Sequence, residues 1–242
     1  MKKKESFYDN IKTVFWAILI ALIIRTFVVE PFNIPSGSMK PNLLIGDFLF
    51  VKKWSYGYSK HSFPFSIPII NNRIFEKNPK RGDIVVFKTP EDNRTDYIKR
   101  IIGLPGDKIK ISNGVVILNN SPLSQIEINN FNDINNDGTL KNIQQFDEIL
   151  PNKKYKIINL INNSIADDTI TYNVPEDEYF VMGDNRDNSQ DSRFLNSVGY
   201  IPKENLVGKA WFIFFSLENS RFYEIWKWPY SIRYSRLFNK IE

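Results

Sequence analysis

"TDYIKRIIGLPGD", Thr95 to Asp107, reads as a β-strand running into a turn. Tyr97, Ile98, Ile101 and Ile102 favour a strand, and Gly103, Pro105, Gly106 and Asp107 punctuate its end. With a period of two, Tyr97, Lys99 and Ile101 share one face while Ile98, Arg100 and Ile102 share the other. Lys99 and Arg100 then point opposite ways, so one of them is expected on the packed side of a sheet. Comparable runs recur along the chain: "GDFLFVKKW", "RGDIVVFKT", "DKIKISNGVVILNNS" and "EYFVMGD". Asn113-Gly114 is the strongest hairpin signal among them. Long amphipathic helices do not alternate with these runs, which argues against a parallel α/β sheet. The expectation is a mainly β, antiparallel domain.

Two segments differ from this pattern. Residues 123–168, from Leu123 to Asp168, are crowded with Asn and Asp and weakly periodic, and read as a polar, partly stranded insert. Trp54 to Ile70, "WSYGYSKHSFPFSIPII", is aromatic and contains no acid. Pro64 and Pro68 bar a central strand there. The segment either packs its rings inward as a loop or rests them on a bilayer.

The chain opens "MKKKESFYDNIKTVFWAILIALIIRTFVVEPF", unbroken in apolar character from Val14 to Ile24. Thr13 to Val29 is about 17 residues, at the short end of the roughly 17–25 that span a bilayer. Arg25 lies near one end, where its stem can snorkel to the headgroups. A cleaved leader would need a small-x-small exit, and none follows Ile24. A buried core helix is the other alternative. Our reading is an uncleaved transmembrane anchor over residues 13–29. Lys2, Lys3, Lys4 and Lys12 hold residues 1–12 in the cytoplasm, and residues 30–242 follow on the outer face as the extracytoplasmic domain.

At 42% hydrophobic and 24% charged, the 242 residues suit one folded domain with an insert. Without cysteine there is no disulfide or thiolate metal site, and one histidine leaves zinc short of ligands. The net charge of +5 fits nucleic acid, an anionic membrane or a lysine-rich proteome, and the abundant Asn, Ile and Lys favour the last.

"PFNIPSGSMKPNLLIGD", Pro31 to Asp47, then raises the question of chemistry. Ser36 and Ser38 straddle Gly37 between prolines, just past the anchor. Serines in such a loop usually form turns. As a nucleophile, a serine needs a base to take its proton. His61 sits in the aromatic segment without a motif and is expected to be an exposed loop residue, which disfavours a Ser-His-Asp triad. Carboxylates and a neutral lysine remain. A lysine can serve if burial lowers its pKa from ~10.4 toward ~7–8. Lys99, in apolar sequence, is the candidate, and a solvated strand lysine is the plain alternative.

"PSGSMKPNLLIGDFLFV", "RGDIVVFKTPEDNRTDYIKRIIGLPGD" and "MGDNRDNSQDSR" together resemble, in order and spacing, the signature blocks of bacterial type I signal peptidases. The likeness covers the anchor and most of the outer domain, fading in the insert and the C-terminal tail. It implies an antiparallel β-rich Ser-Lys protease fold with a small variable inserted subdomain. It implies Ser38 as nucleophile and Lys99 as general base. Ser36, with the Ser38 backbone N–H, would form the oxyanion hole, and Ser189 would orient the lysine amine. Asp191 and Arg193 would be a supporting ion pair, with Asp184, Asn185 and Arg186 in structural roles. Phe32, Ile34, Met39, Leu43, Val86, Tyr97 and Ile98 would line shallow apolar pockets for small-x-small sequences.

The implied partners are exported preproteins and the lipid bilayer, with no nucleic acid, obligate protein partner, metal or organic cofactor. The implied location is the bacterial cytoplasmic (inner) membrane, with the catalytic domain on the periplasmic side. Some family members have two N-terminal spans where this chain has one. Three rivals differ in what they need. A self-cleaving Ser-Lys regulator would carry a DNA-binding module in place of the apolar run. A basic nucleic-acid-binding β-module would leave the Ser and Lys blocks unexplained. A maturation peptidase for one substrate is poorly separated by sequence.

Overall fold

In a computed structural model, which describes residues 7–70, 72–134, 140–161, 164–220 and 222–241, the apolar run forms helix α1 (Phe7–Phe27). Lys2, Lys3, Lys4 and part of the insert lie outside these residues. The helix begins six residues earlier than expected and ends two sooner, because Val29 already belongs to a strand. Its 21 residues rise about 32 Å, close to the ~30 Å of a hydrocarbon core. Its side chains are apolar on every side and almost all exposed, Thr26 being the buried one. A helix with that surface needs lipid around it.

Fourteen strands follow among the described residues. The first seven are β1 (Val29–Asn33), β2 (Asp47–Lys52), β3 (Ile84–Lys88), β4 (Asp96–Gly103), β5 (Lys108–Ser112), β6 (Val115–Leu118) and β7 (Ser121–Pro122). Then come β8 (Ser124–Ile134), β9 (Leu140–Leu150), β10 (Lys153–Asn159), β11 (Tyr172–Asn173), β12 (Glu178–Met182), β13 (Ile201–Pro202) and β14 (Leu206–Ser216). They make a seven-stranded sheet in the order β1-β2-β14-β3-β4-β12-β13, a four-stranded sheet β11-β5-β6-β7 and a three-stranded sheet β10-β9-β8. All strand pairs are antiparallel. The β5–β6 turn is Asn113-Gly114, with φ of 48° and 74°, the left-handed pair that a tight hairpin needs.

Strand β4 lies between β3 and β12, and both of its faces are covered. Lys99 is 4% exposed and Arg100 0%: the alternation required one of them to meet packed structure, and in the fold both do. Arg100 is tolerated because its guanidinium bonds Asp184 at 2.8 and 2.9 Å and lies 4.1 Å from the Tyr155 ring centroid.

The polar insert is more regular than its sequence suggests. Strands β8 and β9 run 11 residues each as a long hairpin, and the exposure of β9 is concentrated toward Leu140. A buried cluster ties this sheet to the segment after β12. Glu148 is fully buried and accepts hydrogen bonds from Arg186 Nη1 at 2.9 Å, from Arg186 Nη2 and from the Tyr155 hydroxyl. Gln125 Nε2 adds a further bond at 3.0 Å. Removing one member of a buried pair leaves the other charge uncompensated. Glu148→Ala should therefore cost ~3–5 kcal/mol, read as a lower urea midpoint of the detergent-solubilised chain. A change below ~1 kcal/mol would show that Arg186 finds water or another acceptor.

The loop between β1 and β2 is braced from behind by Asp47, which is 0% exposed. Its carboxylate accepts from Ser216 Oγ at 2.7 Å, Leu44 N at 2.8 Å and Arg236 Nε at 2.9 Å. Arg236 also donates to the Asn42 carbonyl at 3.0 Å. Gly46 has a φ of +88°, and a Cβ there would sit 2.1 Å from the Leu217 carbonyl oxygen. Only glycine fits that close crossing.

Candidate active site

Ser38 sits at the head of this braced loop, and Lys99 reaches it from β4. Lys99 Nζ lies 2.7 Å from Ser38 Oγ and 3.1 Å from the Ile98 carbonyl oxygen. The Tyr97 ring centroid is 5.3 Å from the same nitrogen. Both partners are nearly buried, Ser38 at 6% exposure. Burial lowers the Lys99 pKa to about 8, Asp191 and Asp184 work against that shift, and Arg193 adds to it. A dry ammonium is disfavoured, so near-neutral pH leaves an appreciable share of the amine with a free lone pair.

Two elements fix the loop relative to the lysine. Asn185 N donates to the Ser38 carbonyl at 3.0 Å, and Asn185 Nδ2 donates to the Gly37 carbonyl at 3.0 Å. Gly183 lies wedged beside them. A Cβ at this position would stand 2.6 Å from the Ser38 carbonyl oxygen and 2.2 Å from Ser189 Oγ. Sequence reasoning passed over Gly183, although it sits inside the quoted "MGDNRDNSQDSR" block.

Behind the site, Asp191 accepts from Gly183 N at 2.9 Å and from Arg193 Nε and Nη2 at 2.9 and 3.0 Å. Burial alone would raise the Asp191 pKa, but the Arg193 charge and these hydrogen bonds hold it below the usual carboxylate range. The Ser189 hydroxyl is buried close enough to help depress Asp191, yet makes no hydrogen bond of normal geometry, to Lys99 or to any other described residue. Asp184 is held by Arg100 and by Asn42 Nδ2 at 2.7 Å. Ser36 Oγ lies 3.4 Å from Ser38 Oγ.

A cleft of about 1220 Å³ opens over the pair. Phe32, Ile34, Val86, Tyr97 and Ile98 line it, together with Ser36, Ser38, Lys99, Ser189 and Arg193. Met39 and Leu43 do not. Both are 0% exposed and pack with Leu49, Val51, Ile84 and Val207, so their assignment to the pockets is corrected to the core. The Ser38 side chain turns to the cleft, and the next side chain along the tight loop turns inward. Ile170, Tyr172, Gln190, Phe194 and Leu195 also line the cleft and were not anticipated. Phe194 and Leu195 follow the "DSR" triplet directly, two apolar residues exposed beside a polar block. That was the available signal.

His61 is buried rather than exposed. Its Nδ1 lies 2.9 Å from Ser66 Oγ, it does not line the cleft, and burial lowers its pKa to about 4. The Trp54–Ile70 segment divides. Tyr56, Ser59, His61 and Ser62 pack inward, while Trp54, Ile67 and Ile69 remain exposed. Among the described residues no group of three or more His, Asp or Glu side chains is arranged to ligate a metal.

A family model described as signal peptidase, peptidase S26, matches residues 7–215. Signal peptidase I of Rickettsia typhi is 41% identical, over 93% of this chain and 90% of that protein. Signal peptidase I of Rickettsia akari is 44% identical, over 83% of this chain and 77% of that protein. Among solved structures, a crystal structure of a signal peptidase I from Enterococcus faecalis matches with 25% identity and a TM-score of 0.32. It covers 55% of this chain and 97% of that one.

Proposed function

The chain belongs to the signal peptidase family of S26 peptidases, and from that membership we propose that Ser38 and Lys99 are its nucleophile and general base. It is a membrane-anchored serine endopeptidase that cleaves signal peptides from preproteins. The observation that supports the dyad is the 2.7 Å separation of Lys99 Nζ and Ser38 Oγ in a dry setting.

In this reading the neutral amine takes the Ser38 proton as Oγ attacks the carbonyl carbon after a small residue. The oxyanion that develops faces the Ser38 backbone N–H and the Ser36 hydroxyl. Collapse breaks the C–N bond, and Lys99 returns its proton to the leaving amine. The neutral Lys99 amine then takes a proton from a water that hydrolyses the acyl-enzyme, and returns it to Ser38 Oγ. Phe32, Ile34, Val86, Tyr97 and Ile98 supply apolar walls for small side chains before the cut. Asp191 and Arg193 hold the rear of the site, and the family resemblance gives Ser189, whose buried hydroxyl lies there without a bond to Lys99, the role of orienting the amine toward Ser38.

The pH–rate profile tests this. The working base must be neutral, so kcat/KM should be full above the Lys99 pKa and fall as pH drops through about 8. Below it, each unit of pH should cost about tenfold. Ser189→Ala should lower kcat more than it raises KM. A limb near ~10.4, the value of free lysine, or a histidine-like limb that disappears in His61→Ala, would remove Lys99 from the role.

Lys2, Lys3, Lys4 and Lys12 favour a cytoplasmic N-terminus, which supports a reading with residues 30–242 and the cleft on the outer face of the bacterial inner membrane. External protease should then digest the catalytic domain in intact spheroplasts. Full protection would reverse the orientation.

A further inference from the structure

Val28 alone separates α1 from β1. Its N–H donates to the Ile24 carbonyl at 2.8 Å, and its carbonyl accepts from Lys53 N at 3.1 Å, so even this link is bonded on both sides. Glu30 is gripped from two directions. Its Oε1 accepts from Arg25 Nε and Nη2 at 3.0 and 2.9 Å, and its Oε2 accepts from Lys53 Nζ at 2.7 Å. Arg25 belongs to the helix, whereas the Lys53 side chain is sunk in the protein at 1% exposure. The Phe27 ring meets Tyr58 and Phe63 edge-on, with centroids 5.4 and 6.0 Å away, and the Tyr58 hydroxyl donates to the Phe27 carbonyl at 2.8 Å. The proposed chemistry uses none of these contacts.

An exposed ion pair in water does little. This one sits where the helix leaves the lipid, and its inner member is a buried ammonium that requires a partner. The bilayer weakens competition from water on the outer side as well. The seam thus joins anchor and catalytic domain as one body without a flexible tether.

We propose that this seam fixes the height and tilt of the cleft over the bilayer, making Arg25, Glu30 and Lys53 positioning residues that decide which bond of a membrane-held substrate reaches Ser38. The inference rests on the signal-peptide-cleaving activity above. A signal peptide is itself held in the membrane by its apolar segment, so enzyme and substrate are referred to the same plane. An extended chain advances ~3.3 Å per residue, and a lift of ~7 Å would present a bond two residues away with the same side-chain facing. Apolar pockets that accept small side chains do not distinguish those two bonds, whereas a fixed height does.

The test uses the full chain in phosphatidylcholine–phosphatidylglycerol vesicles. Its substrate is a membrane-inserted preprotein carrying two identical small-x-small motifs four residues apart, about 13 Å when extended. Wild type should favour one site by roughly tenfold or more, given how steeply reactivity falls with misplacement. Arg25→Gln, and separately a Gly-Gly insertion after Val28, should bring the two sites to within about twofold, and Arg25→Lys should restore the preference. Cleavage of a short soluble peptide should be unchanged in all three, separating positioning from chemistry. Wild-type cleavage without preference, or a preference retained in both Arg25→Gln and the insertion variant, overturns the inference. Equal loss of soluble-peptide cleavage in those variants overturns it too. Failure of wild type to cut either site overturns the activity reading instead.

Discussion

Preprotein cleavage in detergent should disappear in both Ser38→Ala and Lys99→Ala, each falling by on the order of 10⁴-fold or more while the circular dichroism of the domain is unchanged. The two groups act as a unit, since Lys99 Nζ and Ser38 Oγ are 2.7 Å apart and, among the described residues, no second lysine lines the cleft. Without the hydroxyl no acyl-enzyme forms. Without the amine the hydroxyl keeps its proton. Lys99→Arg should be equally inactive, because a guanidinium does not release its proton at working pH. The imidazole offers no alternative, as His61 is buried away from the cleft. An inactive His61→Ala beside an active Lys99→Ala would refute the dyad.

Ser36→Ala should lower turnover by roughly 10²–10³, mainly in kcat with little change in KM. Ser36 Oγ lies 3.4 Å from Ser38 Oγ, on the same side of a loop whose Gly37 and Ser38 carbonyls are turned away into bonds with Asn185. A donor there strengthens its hydrogen bond only as negative charge builds on the substrate oxygen, so its loss appears in the transition state. Ser36→Thr keeps the hydroxyl and should retain more activity, limited by the added methyl. Steady-state kinetics with a purified preprotein would decide, and an unaltered kcat for Ser36→Ala would remove Ser36 from the oxyanion hole.

Strands bounded by turn residues were legible in the sequence because local rules govern them. Asn113-Gly114 made its hairpin, and the runs around Leu49, Val86 and Ile101 became central strands of the large sheet. What failed depended on contacts distant in sequence. Sequence alone leaves open which of Lys99 and Arg100 is packed, and Arg100 becomes a buried cation only when Asp184, 84 residues away, and the Tyr155 ring are placed around it. Glu148 and Arg186 likewise reveal themselves only as a pair. Met39 and Leu43 are apolar neighbours of Ser38, and a pattern alone does not say whether such residues face a cleft or a core. The insert was obscured for a different reason. The outer part of its hairpin is exposed and has no buried face to impose a period of two.

The brace behind the Ser38 loop has a consequence in time. Arg236, which grips the Asp47 carboxylate and the Asn42 carbonyl, is encoded 189 residues after Asp47. At ~5–20 residues per second, a ribosome needs roughly ten to forty seconds to travel that distance. Throughout this interval the apolar helix has already been made and can enter the bilayer, while the serine loop still lacks its rear support. The contacts that hold the loop from behind can therefore close only when synthesis has passed Arg236.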